Sequence, residues 1–303
     1  MMLSRVADAL FWMGRYLERA EHVARVLEVT RAVLIDLDQV DPETAKNQWK
    51  GALAALSLPD APTEKLLYDQ SESTSLVACI SRARENARQV REVISTDMWE
   101  HLNQAYWSIH EAHARGVHES QLSQALKDVV SASFQWDGVA DGTTARDEGW
   151  LFMKIGKFVE RIDGTARFIS VRVEGPPRPT TPSSENIHWI ALLRCLCSME
   201  AYKKLHPQRV DRKNVIDFLM LDETFPRSLR YTTLLASDFA GRLAAPHGAR
   251  GKSMERAFGK LASRLEYTNV DEIEKQGTSE FLKELLSDLD VASGLLQRSY
   301  FLQ

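Results

Sequence analysis

Between Val6 and Leu27 the residues Val6, Leu10, Met13, Leu17, Ala20, Ala24 and Leu27 recur at alternating spacings of four and three. Because the α-helix turns about every 3.6 residues, that spacing places them all on one face. A second apolar file, Trp12, Tyr16, Val23 and Val26, runs beside the first. A helix apolar over so wide an arc has to be covered from several sides. The pattern predicts one long helix over 4–38, with Ser4 as its N-cap.

The rest of the chain supplies the cover. Helical periodicity continues at 43–58, 73–95, 97–114, 119–137 and 146–174. The run Gly175-Pro-Pro-Arg-Pro-Thr-Thr-Pro-Ser-Ser184 then places four of the ten prolines within ten residues, which reads as a surface loop. Helices resume at 185–203, 210–221, 225–245, 252–268 and 278–301. No Asn-Gly or Asp-Gly turn joins alternating apolar runs, since Asp141-Gly142 lies between helical segments. The expected fold class is all-α, a multi-helix bundle.

With 303 residues, the chain has room for one large domain or two ordinary ones. Its 44% hydrophobic and 26% charged residues exclude whole-chain disorder. Its apolar runs fall short of the roughly 18–20 residues of a spanning helix, so no membrane partner is expected. The opening segment meets Asp8, Arg15 and Glu18 too early for a secretory signal. Cys79, Cys195 and Cys197 are too few for a disulfide framework, and the expected location is the cytoplasm, with reduced thiols. The net charge of −4 is split unevenly: 1–142 holds 14 Lys+Arg against 21 Asp+Glu, and 143–303 holds 24 against 21. Neither half is basic enough for duplex nucleic acid.

The chain also resembles itself. Met13-Gly-Arg-Tyr-Leu-Glu-Arg-Ala-Glu-His-Val-Ala-Arg-Val-Leu27 aligns without gaps on Ile155-Gly-Lys-Phe-Val-Glu-Arg-Ile-Asp-Gly-Thr-Ala-Arg-Phe-Ile169, with five of fifteen positions identical. Leu66–Leu76 then aligns on Leu219–Leu229, keeping Leu, Asp, Ser and Leu at fixed spacing. Two matches in the same order indicate duplication. They divide the chain into a first repeat, 1–142, and a second, 143–303, fused into one two-lobed body with approximate internal two-fold symmetry.

The repeated charged residues are the candidate site: Glu18, Arg19, Glu21 and Arg25 in the first repeat, Glu160, Arg161, Asp163 and Arg167 in the second. Glu21 to Arg25 and Asp163 to Arg167 are i,i+4 pairs with the acid first. Arg19 falls inside an apolar file, and a buried guanidinium needs a carboxylate. The structural expectation is a reciprocal network, Glu18 with Arg161 and Glu160 with Arg19. The functional alternative is a charged ligand held between the lobes. There a carboxylate would take a proton from an amine while arginine holds a carboxylate or phosphate. No catalytic residue is assigned.

No metal and no cofactor are expected. Glu18 and His22 are i,i+4, and His110 and His113 are i,i+3, but the Glu-x-x-His pairs of di-metal bundles are missing and arginines stand close by. His101, His110, His113 and His118 are expected on a solvated face. Pro246-His-Gly-Ala-Arg-Gly-Lys-Ser253 lacks the first glycine of a phosphate-binding loop, so it reads as a helix connector. Asp222-Glu-Thr-Phe-Pro-Arg-Ser-Leu229 reads as a helix start, with Thr224 as cap, Pro226 in the first turn, and Ser71 as the cap's counterpart after Asp69. Cys195 and Cys197, two apart on a helix, face away from each other.

At Tyr16-Leu-Glu-Arg-Ala-Glu21 and Phe158-Val-Glu-Arg-Ile-Asp163 the chain resembles the bacterial alpha-E family, helical proteins named for a Glu-Arg signature. The segment Ser4–Glu21 is similar to that family's opening, and Ala83-Arg-Glu-Asn-Ala-Arg88 and Phe225-Pro-Arg-Ser-Leu229 also look like family segments. The resemblance spans essentially the whole chain. It implies genetic neighbours of two kinds, circularly permuted ATP-grasp proteins and transglutaminase-like proteins, and so a system that makes, attaches or trims a peptide. The function expected from it is an accessory or scaffold component that binds a partner protein or peptide. The alternative is an enzyme acting on a peptide or amino acid at the repeated Glu-Arg pairs. The resemblance supplies no catalytic residue.

Overall fold

The long first helix becomes the axis around which the other elements are arranged. The computed structural model describes residues 2–38, 50–56, 63–115, 119–174 and 182–301. In order, the helices are α1 (Ser4–Asp38), α2 (50–55), α3 (Thr63–Tyr68), α4 (Leu76–Gln89), α5 (Thr96–Arg115), α6 (Glu119–Thr143), α7 (Glu148–Glu174) and α8 (Pro182–Cys195). They continue with α9 (Met199–Leu205), α10 (Arg212–Leu221), α11 (Leu229–Ala244), α12 (Ala249–Glu266), α13 (Val270–Gln276) and α14 (Thr278–Tyr300). No strand occurs among the described residues, so the chain is all-α.

Both apolar files of α1 are used. Leu10, Met13, Leu17, Ala20, Ala24 and Leu27 are buried, as are Val23 and Val26, while Trp12 and Tyr16 are half-buried. α1 is flanked by α4, α6, α7, α8 and α14, and its most extensive contact is with α7. One continuous apolar core takes in residues of both chain halves, from Ala7 to Tyr300. α7 in turn packs on α11 and α14, so these two helices are the spine of the molecule.

Paired positions rise together along the spine. Met2 bonds to Glu148, Phe11 meets Gly156, Glu18 meets Arg161 and His22 meets Gly164, so α1 and α7 run parallel. They touch most closely at two glycines. A Cβ on Gly14 would overlap the Met153 carbonyl oxygen, and one on Gly156 would overlap that of Phe11. At both positions only a side chain of hydrogen lets the backbones approach.

Several sequence expectations change at element ends. The Leu3 carbonyl accepts from the amides of Val6 and Ala7, so the cap position is Leu3, and Ser4 is already inside the helix. Thr224 is not a cap either. Asp222 Oδ1 accepts from the backbone N–H groups of Thr224 and Phe225, holding Pro226 in a turn before the helix. The cap is Ser228, whose Oγ accepts from the Tyr231 amide. Ser71 likewise yields to Ser75, whose Oγ accepts from the Ala78 amide, while Asp69 Oδ1 accepts from the Ser71 N–H. The aspartate two residues earlier captures the local donors, which leaves the serine six residues after it to cap.

The expected helix 185–203 is two, α8 and α9, separated at Cys197, a non-glycine residue at φ +53°. The Ser198 amide bonds back to the Leu193 carbonyl, the closing hydrogen bond of a left-handed C-terminal turn. Cys197 therefore lies past the helix, not on it. α12 starts at Ala249, so Gly251-Lys252-Ser253 lies in helix, not in the connector. α3 and α13 have no counterpart among the expected helices, and α8 begins at Pro182, within the stretch read as loop. The rest of that loop, 175–181, and the first part of the expected 43–58 helix lie outside the described residues.

Candidate functional site

Facing halves of α1 and α7 bring the repeated Glu-Arg pairs together in the reciprocal arrangement. Arg161 grips Glu18 with two parallel bonds, Nε to Oε1 at 2.6 Å and Nη2 to Oε2 at 2.8 Å. Arg19 grips Glu160 in the same way, Nε to Oε1 at 2.5 Å and Nη2 to Oε2 at 2.9 Å. This fork-on-carboxylate geometry is the strongest form of the ion pair. One turn of each of the two parallel helices is thus clasped to the other, four residues beyond the glycine contact.

Each clasp has further partners that the charged set alone did not name. Glu160 also accepts from Arg15 Nε at 2.7 Å. Glu18 is approached by Arg227 Nη1 at 3.3 Å, His22 Nε2 at 3.3 Å and Lys157 Nζ at 3.9 Å. Arg15 and Lys157 occupy matching positions of the two repeated segments, which is the signal that could have found them. Arg227, from the turn before α11, also donates to Glu21 at 2.5 Å through Nη2. Glu21 holds Arg25 at 2.8 Å as the i,i+4 spacing predicts. Lys157 is also paired with Asp137 of α6. Arg161 Nη1 donates to the Pro226 carbonyl at 3.2 Å, so the turn before α11 is tied to both long helices.

Asp163 and Arg167 stay outside the network. They pair with each other at 2.8 Å, with side chains 22% and 42% exposed. Glu21, at the matching position of α1, is fully buried. His22 explains part of the difference, because its imidazole occupies the space next to Gly164, where a Cβ would lie 2.5 Å from Nδ1.

The electrostatics follow from burial and pairing. Burial alone would raise the Glu18 pKa, but Arg161, Arg227, the His22 hydrogen bond and Lys157 together hold it well below the ordinary carboxylate range. Glu160 is buried too, yet Arg15 and Arg19 keep it low. Burial and the neighbouring Glu18 would raise Glu21, but Arg227, Arg25 and Arg161 together hold it low. All three are therefore anions at neutral pH, each facing arginine. Burial pushes the Lys157 ammonium down, and Arg161 adds to that effect. None of the three glutamates has the raised pKa of a general acid.

Among the described residues no group of histidines, cysteines and carboxylates is arranged to hold a metal. His101 is half-buried and lines a small cavity with Leu17, Ile80, Ser133 and Trp136. His110 leans on Tyr106, ring on ring at 3.9 Å, while the side chain of His113 and all of His118 lie outside the described residues. Cys79 and Cys195 are buried free thiols whose pKa burial pushes up to about 12, unlike reactive cysteines. No described helix is long and apolar enough to cross a membrane.

The chain is similar in sequence to known proteins over nearly its whole length. The family model Alpha-E, described as a predicted alpha-helical domain with a conserved ER motif, matches residues 2–301. An uncharacterised protein of Mycobacterium bovis is 28% identical over 94% of the chain, and uncharacterised proteins of two Mycobacterium tuberculosis strains are 28% and 27% identical over the same share. The chain spans about a third of the length of these relatives, 35% in each case. No solved structure matches it significantly.

Proposed function

We start from the fact that this chain belongs to the Alpha-E family, and we propose that it is an accessory or scaffold component of an ATP-grasp-linked system that makes or modifies a peptide. It binds a partner protein or a peptide and carries out no bond chemistry of its own. One observation carries this reading: the Glu-Arg motif is consumed by mutual pairing. Glu18 and Glu160 are each engaged by two or more arginine or lysine side chains, and both carboxylates are buried. A motif satisfied in this way fixes the geometry of a body and leaves no carboxylate free to take a proton. The relatives carry this region as about a third of a longer chain, which supports a domain that works beside others.

The body is read as two repeats, 1–142 and 143–303, related by approximate two-fold symmetry with its axis between α1 and α7. Four features support the duplication: the parallel helices, the reciprocal clasps, the mutual glycine contacts, and the aspartate-to-serine turn that recurs before α4 and α11. The partners proposed are a circularly permuted ATP-grasp protein and a transglutaminase-like protein or a peptide, in the cytoplasm.

Tagged protein purified from its own bacterium at native expression is expected to bring down an ATP-grasp ligase or a bound peptide, identified by mass spectrometry. Purified chain and ligase that fail to bind at micromolar concentration, with and without ATP, would refute the reading. A second reading, an enzyme site on the Glu160 side, has one observation in its favour: the Arg15 and Arg19 side chains there remain 15% and 21% exposed. Loss of activity in Glu160→Gln without a fall in melting temperature would select it.

A further inference from the structure

α4 and α5 carry a second arginine cluster, away from the spine, in which the cations meet rings instead of carboxylates. Arg84 lies 4.4 Å from the ring centroid of Tyr106, 5.3 Å from Trp99 and 5.9 Å from Trp107. Arg91, just past the end of α4, lies 5.4 Å from the same Trp99 indole. Two guanidinium groups thus share one aromatic ring. Arg84 Nε is fixed by Asn103 Oδ1 at 2.7 Å. Neither arginine forms an ion pair among the described residues, and the nearby carboxylate of Glu85 is engaged by Arg88 at 2.7 Å. Beside them the Trp107 side chain is 52% exposed.

On α1 the half-buried Arg15, Arg19 and Arg25 have acids: Arg15 and Arg19 have Glu160, and Arg25 has Glu21. Here the guanidinium groups lie over aromatic rings, and no carboxylate pairs with them among the described residues. Such a pair is pre-organised for a planar anion that accepts two parallel hydrogen bonds, with an apolar surface next to it. Field and geometry select among anions. The first 142 residues hold 14 basic against 21 acidic groups, which repels a polyanion such as single-stranded nucleic acid at a distance. A short segment with one or two carboxylates meets little of that repulsion and keeps the contact with the arginines.

We propose that the outward face of α4 and α5, built from Arg84, Arg91, Trp99, Tyr106 and Trp107, docks a peptide segment that presents a carboxylate beside an apolar side chain. The carboxylate seats on the two arginines and the apolar neighbour covers Trp107. This deepens the binding role proposed above by naming a surface and a ligand chemistry, but it does not depend on a ligase. A chain that binds such a peptide but fails to bind purified ligase, with and without ATP, sustains this inference and refutes that reading.

The test is titration of the full chain with the peptide acetyl-Gly-Leu-Glu-Leu-Glu-Gly-amide, followed by tryptophan fluorescence and calorimetry. The same peptide with both Glu replaced by Gln, and an oligothymidylate, serve as comparisons. Saturable binding that weakens with salt is expected. A loss of roughly tenfold or more, the scale of one charge-assisted contact, is expected in Arg84→Gln/Arg91→Gln and with the Gln peptide. Arg84→Lys/Arg91→Lys keeps the charge without the planar fork and is expected to lose affinity as well. Trp107→Ala, at an exposed position, is expected to weaken binding with its melting temperature unchanged. No peptide binding, binding indifferent to these variants, or tighter binding of the oligothymidylate would each overturn the proposal.

Discussion

The two clasps on the spine use the same motif and end in different surroundings. Around Glu18 the network is closed: Arg161 and Arg227 side chains are 8% and 6% exposed, His22 fills the gap beside Gly164, and Glu21 is sealed in as a second anion. Around Glu160 it is open: the arginines come only from α1, remain partly exposed, and lie over the rings of Trp12 and Tyr16. The position matching Arg227 is Thr74, which brings no charge. The turn before α11 thus adds a buried arginine to one Glu-Arg pair, and the turn before α4 adds no charge to the other. The motif fixes the pairing, and its neighbours fix the burial.

The strongest break is expected on the closed side. Arg227→Ala removes a partner from both Glu18 and Glu21 and is expected to cost about 3–5 kcal/mol, the scale of an uncompensated buried charge, measured by urea unfolding. Gly14→Ala and Gly156→Ala place a Cβ against backbone on opposite sides of one contact, and each is expected to cost roughly 3 kcal/mol. Similar losses would support equivalent roles, and one neutral substitution would refute them. Arg15→Ala, on the open side, leaves Arg19 in place at a partly exposed site and is expected to cost only about 1 kcal/mol.

Gly164→Ala sharpens the asymmetry, because its methyl group meets the His22 ring. It is expected to destabilise alone and to do so far less in a His22→Ala background, a coupling that thermal melts of the four proteins would reveal. Acid is expected to separate the clasps. A carboxylate held low in the folded state adds stability that is fully present above its unfolded pKa of about 4.3 and is lost as pH falls through the folded pKa. The urea midpoint should therefore be level above about pH 5 and decline below it. Glu18 is held furthest down, so its share should be lost last. Glu160→Gln should flatten the upper part of that decline.

Much of the spine was legible in residues 13–27 and 155–169. A repeat that carries both partners of a potential ion pair predicts reciprocity as soon as the two copies face each other. The parallel course of α1 and α7 was not legible, because periodicity defines a face and not a direction. Arg227 stood in a recognisable segment, yet nothing local says that a turn 205 residues beyond His22 returns to cover it. Two misplaced caps have a shared cause: Asp69 and Asp222 accept from the amide and hydroxyl two residues on, which ties Ser71 and Thr224 into the turn before the helix, and the sequence does not mark where that turn ends. α3 and α13 are too short for periodicity to show, at six and seven residues.

The most direct test is a double-mutant cycle of Glu18→Gln and Arg161→Met, read as unfolding free energy. If the Glu-Arg motif is a clasp, Glu18→Gln alone lowers stability by several kcal/mol and the two substitutions couple by roughly 1–3 kcal/mol. A Glu18→Gln protein as stable as the parent, or more so, with no coupling to Arg161, would contradict it and mark the pair as a site kept for chemistry.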